Sequence, residues 1–121
     1  MQYESTREVR STCSPGVSYV VWRMSFGRRL ELMRSVRELA RRLEYLEAGA
    51  SAIDSMEAAF VRREIDRLFV GWGLRKVEGL ELDGAPASPD SLIERGPEEL
   101  FREALAAVRA EAGLSDEERK N

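Results

Sequence analysis

Two carboxylate pairs, Glu98-Glu99 and Glu117-Glu118, and one thiol, Cys13, are the side chains whose types and spacing could do acid–base or nucleophilic chemistry. A catalytic carboxylate pair needs surroundings that push its two pKa values apart. Both pairs here stand at helix starts, behind Pro97 and behind Ser115, where acids meet the positive end of the helix dipole. Cys13 has no base to take its proton, because the chain contains no histidine. That absence also removes the commonest metal ligand, and a single cysteine leaves no zinc site of usual composition. No glycine-rich phosphate loop of the P-loop or dinucleotide kind is present. The chain is therefore expected not to be an enzyme, with no catalytic residue, no metal and no cofactor.

Binding is the remaining use for its chemistry. The segment 25–48 holds six arginines (Arg28, Arg29, Arg34, Arg37, Arg41, Arg42) interleaved with Glu31, Glu38, Glu44 and Glu47. Such a helix could track a phosphate backbone or an acidic partner, but interleaved acids favour a solvated face. Residues 1–70 carry 12 Lys/Arg and 10 Asp/Glu, whereas residues 71–121 carry 7 and 12, so nucleic acid is not an expected partner. The residues put forward for partner contact are Trp22, Phe26, Leu30, Trp72, Leu80, Leu82 and Phe101. Trp22, Trp72, Phe60 and Phe101 read more simply as core, since large apolar side chains are usually inside.

The elements that must position these residues follow from periodicity and punctuation. Tyr3–Ser11 and Val17–Trp22 are strand-like, with Ser14-Pro15-Gly16 suited to a type II turn between them. Two strands alone are marginal, so this hairpin must meet helices or another strand. Ser25 caps a helix to about Ala48, with Phe26, Leu30, Met33, Val36, Leu39, Ala40, Leu43 and Leu46 at helical spacing. Glu38 and Arg42 are placed for an i,i+4 pair.

Gly49 ends that helix, and Ser51 or Asp54 caps a second with the stripe Ile53, Met56, Phe60, Val61, Ile65, Leu68, Phe69 and Trp72. Gly73 is read as its left-handed stop. The short connection predicts an antiparallel pair. Lys76–Leu82, Asp83-Gly84 and Ala85–Ala87 form a small hairpin with Pro86 at an edge. Ser88-Pro89 opens a short helix to Gly96, and Gly96-Pro97 repeats the device for a helix to about Ala112 with Leu100, Phe101, Ala104, Leu105 and Val108 inward. The fold class is α+β, mainly helical: residues 1–114 form one globular domain and 115–121 an acidic, polar tail.

The 121 residues, 43% apolar and 34% charged, fit a single domain with long charged helix faces. No run reaches a membrane span and the N-terminus has no apolar signal core, so no membrane is expected. One unpaired cysteine suits a reducing cytoplasm. Self-association into a homo-oligomer is left open.

The order of hairpin, Met24-Ser25-Phe26-Gly27-Arg28-Arg29, charged helix, Glu64-Ile65-Asp66-Arg67-Leu68, Trp72-Gly73-Leu74, Val77-Glu78-Gly79-Leu80-Glu81-Leu82-Asp83-Gly84, Gly96-Pro97-Glu98-Glu99-Leu100 and the ending Gly113–Asn121 resembles small tailed-phage and prophage morphogenesis proteins. The type it is most similar to is the tail assembly chaperone, and the likeness spans most of residues 17–121. It implies a non-catalytic helper in the cytoplasm of a bacterial host. Its partners would be the tape-measure protein, which it coats, and tail-tube subunits, which it recruits. Many such chaperones are made in two lengths by ribosomal frameshifting, and Arg119-Lys120-Asn121 is compatible with the slippery heptamer A AAA AAC. A stable virion component, such as a tail or connector subunit, is the alternative. A small nucleic-acid-binding regulator using segment 25–48 is the weaker one.

Overall fold

The computed structural model describes residues 1–113. The expected cap at Ser115, the Glu117-Glu118 pair and Arg119-Lys120-Asn121 lie outside the described residues. The fold is α+β and mainly helical, as the sequence predicts: β1 (Thr6–Arg10), β2 (Ser18–Trp22), α1 (Phe26–Glu47), α2 (Ala52–Gly73), β3 (Leu74–Glu78), β4 (Glu81–Leu82), β5 (Ala85–Pro86), α3 (Pro89–Arg95) and α4 (Glu98–Ala112).

The first hairpin turns where Pro15 and Gly16 put it. Gly16 has φ 89° and the Val17 amide donates to the Ser14 carbonyl at 3.1 Å, which is the type II arrangement. β1 runs antiparallel to β2, shorter at both ends than Tyr3–Ser11. The partner that the hairpin needs is β3, which pairs antiparallel with the other edge of β2. Here the small-hairpin expectation is corrected. Lys76–Leu82 is not one strand: it breaks at Gly79 (φ 78°), the first half joins β2, and only Glu81–Leu82 pairs with Ala85–Pro86. A Cβ on Gly79 would collide with the Gly16 carbonyl, so two glycine turns meet there. Asp83 (φ 54°) and Gly84 (φ 82°) make the tight turn expected of Asp-Gly.

β3 also carries a bulge. Val20 faces Lys76 and Val21 faces Leu74, which leaves Arg75 as the extra residue. The bulge lets Leu74 and Val77, three apart, both turn inward beside Val17, Tyr19 and Val21. α4 covers that inner face with Leu100, Ala104, Leu105 and Val108, and packs on α2 as well.

The helix caps are local and appear as read. Ser25 accepts from the Arg28 amide, Ser51 from Asp54, and Ser88 from Ser91, with Ser91 returning the bond in a capping box. Two readings change. Pro97 is itself the N-cap of α4, with no side-chain bond, and is not its first helical residue. Gly73 is the last residue of α2 and has no positive φ; a Cβ there would drive deep into the Val108 side chain, so glycine serves close helix approach. Between α2 and α4 the Asp66 carboxylate pairs with the Arg109 guanidinium, both buried, and also receives Arg63 at 2.7 Å.

α1 and α2 are antiparallel: Arg28 at the start of α1 bonds the Trp72 carbonyl at the end of α2, and Arg42 reaches Glu57 at 3.2 Å near their junction. Arg42 therefore does not pair with Glu38, which holds Arg41 at 3.4 Å instead. α1 packs chiefly against α2, and the far half of the pair has its own small cluster, Leu46, Ala58 and Val61.

Candidate functional site

Apart from Met1 and Tyr3 near the N-terminus, the exposed large apolar side chains among the described residues stand on the α1–α2 pair. Along α1 the predicted stripe divides into two lines, and the inner one gains Leu32, a buried residue that the stripe did not include. Leu32, Val36, Leu39, Leu43 and Leu46, spaced 4, 3, 4 and 3, turn toward α2. Phe26, Leu30, Met33 and Ala40 form a second line, about a third of a turn round the helix. Phe26 is 82% exposed and Met33 59%. On α2, Val61, Ile65, Phe69 and Trp72 go inward as read, whereas Ile53, Met56 and Phe60 stay outside, Phe60 at 58% exposure. Tyr45 is exposed near the same end. Scattered exposed leucines need no explanation, but an aligned set that includes Phe and Met makes this face the candidate for an interaction surface.

The base of this arm is fixed by an arginine between tryptophans. The Arg28 guanidinium lies 5.0 Å from the Trp22 ring centre and 4.4 Å from that of Trp72, and Arg75 sits 5.3 Å from Trp22 on its own side. Each such contact is worth about 0.5–2 kcal/mol, more as it is desolvated. Trp22 at the end of β2, Arg28 in the first turn of α1 and Trp72 in the last turn of α2 thus hold three elements together. Of the seven residues put forward, this unites Trp22 and Trp72, with Phe26 and Leu30 on the adjoining turns of α1. Trp72, Leu80, Leu82 and Phe101 are half-buried against the main core. Leu80, Leu82 and Phe101 are not part of the α1 line.

A second polar cluster was not legible in the sequence. The Glu103 carboxylate on α4 receives the Ser11 hydroxyl, the Thr12 amide (2.7 Å), the Thr12 hydroxyl (2.8 Å), the Cys13 amide (3.3 Å) and the Tyr19 hydroxyl (2.7 Å). Partial burial pushes its pKa up, but bonds from Ser11, Tyr19 and Thr12 outweigh this and bring it down to about 2. Burial and then Glu103 raise the Tyr19 phenol well above its ordinary value. For the exposed Cys13 the Ser11 bond favours the thiolate, yet local desolvation and the Glu103 carboxylate prevail and hold the thiol up. A carboxylate so saturated with donors is a poor base, and a thiol held protonated is a poor nucleophile. The cluster is built as a clasp between the first hairpin and α4. The pairs Glu98 and Glu99 stand in the first turn of α4, where Glu98 meets Arg102 at 2.9 Å.

Among the described residues no three metal-ligating side chains gather, and no helix is long and apolar enough to cross a membrane. Compared with protein families, with curated proteins and with solved structures, the chain finds no match.

Proposed function

We propose that the protein is a non-catalytic assembly chaperone that docks an α-helix of its partner along the outer surface of the α1–α2 arm. The observation that carries this reading is the line Phe26, Leu30 and Met33, exposed on a helix whose other apolar line is already committed to α2. An apolar line at i, i+4 and i+7 is the form in which one helix accepts another. Three or four such side chains supply a modest contact, suited to a client that must later be given up. The resemblance to tail assembly chaperones supplies the partners: a long helical tape-measure protein, and tail-tube subunits that displace the chaperone as they polymerise.

Co-expression with the tape-measure product of the same phage or prophage tests the reading. The wild-type protein is expected to keep that product soluble and to be missing from purified particles. The double variant Phe26→Asp, Leu30→Asp, altered only at exposed sites, should remain folded and lose the client. Recovery of the protein in mature particles would point to a tail or connector subunit instead. An unchanged effect of the double variant would remove α1 from the contact.

A further inference from the structure

We infer that the open line of α1 receives an amphipathic helix whose apolar stripe is edged by Asp and Glu. This rests on the helix-docking reading above and adds the partner's charge and the side of the arm it meets. Leu30, Met33, Val36 and Ala40 line a shallow groove along α1 together with Arg34, Arg37 and Arg41, and Glu44 closes its far end. Arg29, Arg34 and Arg37 are exposed and make no ion pair among the described residues.

The contrast with the inner seam is informative. There Arg42 meets Glu57 and Arg62 meets Glu47 (2.5 Å), so these two seam arginines are matched with acids. At 100° per residue, Glu31 and Glu38 fall on the flank of α1 beyond Arg34 and Arg41, where Glu38 already holds Arg41 at 3.4 Å, and Glu44 lies at the far end of the groove with Glu47 about a turn beyond. The first three turns of the groove thus carry Arg29 and Arg34 on opposite edges and Arg37 between Leu30 and Met33 on the apolar line itself. A helix with the inverse edges completes it.

Other occupants fit less well. A second copy packed on the same face by two-fold symmetry would set these arginines against their equivalents, and like charges opposed across an interface are costly. Duplex DNA would satisfy the arginines and leave Phe26, Leu30 and Met33 without apolar partners. An anionic bilayer would take both features, and it is the competitor the experiment must separate.

The test uses two labelled model helices with the same leucine stripe, one edged by Glu and its twin edged by Lys, titrated with the whole protein by fluorescence anisotropy. The Glu-edged helix is expected to bind about tenfold tighter or more, with an advantage that shrinks at high salt. The triple swap R29E/R34E/R37E should invert the preference, with its melting temperature confirming that it folds. Leu30→Asp with Met33→Asp should abolish binding of both. Equal binding of the twins, or a preference for Lys edges, overturns the acidic assignment and leaves helix docking standing. Binding of neither overturns both. Tight binding to phosphatidylserine vesicles that R29E/R34E/R37E abolishes, with no peptide binding, assigns the face to membranes, and a dimer that Leu30→Asp dissociates assigns it to a second copy; either result overturns the inference.

Discussion

Glu103 accepts hydrogen bonds from four residues of the first hairpin, Ser11, Thr12, Cys13 and Tyr19. Tyr19 is fully buried, so removing Glu103 takes away the carboxylate that its hydroxyl meets at 2.7 Å. Glu103→Ala is expected to cost about 1–3 kcal/mol for that reason, read as a lower urea midpoint at pH 7. The carboxylate's pKa is depressed from 4.5 to about 2, so its folded-state advantage is complete above the unfolded value. It is lost progressively as pH falls from about 4.5 toward 2. Wild-type protein should therefore lose part of its lead over Glu103→Gln across that window, measured as the difference in urea midpoints at pH 6 and pH 2.5. Cys13 reports on the same clasp. The Ser11 bond lowers its pKa, but local desolvation and Glu103 raise it by more, so taking the carboxylate away brings the thiol down. Iodoacetamide should then alkylate Cys13 several-fold faster in Glu103→Ala than in the wild type at pH 7.5. An equal rate would mean that the carboxylate does not restrain the thiol.

Gly73 tests how closely α2 and α4 approach. Alanine is the better helix former by about 1 kcal/mol, so an unconstrained last turn would gain from Gly73→Ala. Val108 stands in the way, itself only 1% exposed and packed on all sides. Overpacking costs about 1–3 kcal/mol, so the net expectation is destabilisation, seen as a melting temperature lower by several degrees. A higher melting temperature would show that the helices part without cost. The sequence pointed to a glycine of special use here and named the wrong use, since a left-handed stop and a close approach leave the same letter. Ser25, Ser51, Ser88, Pro15-Gly16 and Asp83-Gly84 were legible because each signal and its consequence lie within a few residues. The destination of β3 was not, because Ser18 meets Glu78 across half the length of the chain and the bulge at Arg75 breaks the alternation that marks a strand. The choice between the two lines of α1 was hidden for a related reason. Both have helical spacing, and only the helix that packs on one of them decides which is core. Glu103 gave no sign at all, since its donors lie up to 92 positions away.

Stability should be graded across the molecule, because its two clusters are unequal. The main core joins β2, β3, α2, α3 and α4 around Tyr19, Val21, Val70, Leu92 and Val108. The far half of the arm rests on Leu46, Ala58 and Val61, with Leu39, Leu43 and Ile65 beside them. The ion pairs along its seam, Arg42–Glu57 and Arg62–Glu47, are between 39% and 56% exposed. Such pairs add at most about 1 kcal/mol each and are screened by salt. Amides around residues 42–60 are therefore expected to exchange with solvent through local opening, well before those of β2 and α4. Val61→Ala removes two carbons from the small cluster, worth about 2 kcal/mol with the cavity they leave. Its effect should stay in the arm: faster hydrogen exchange there, and little change in the protection of β2 and α4. Val70→Ala, an identical truncation in the main core, should lower the protection of every slowly exchanging amide together, because those amides exchange only when the whole fold opens. If Val61→Ala also lowers the protection of β2 and α4 to the full extent, the arm and the core unfold as one unit. A client helix docked on the arm would then bind a rigid post. In the graded case it also steadies the helices it touches, and exchange in residues 42–60 slows when it is bound.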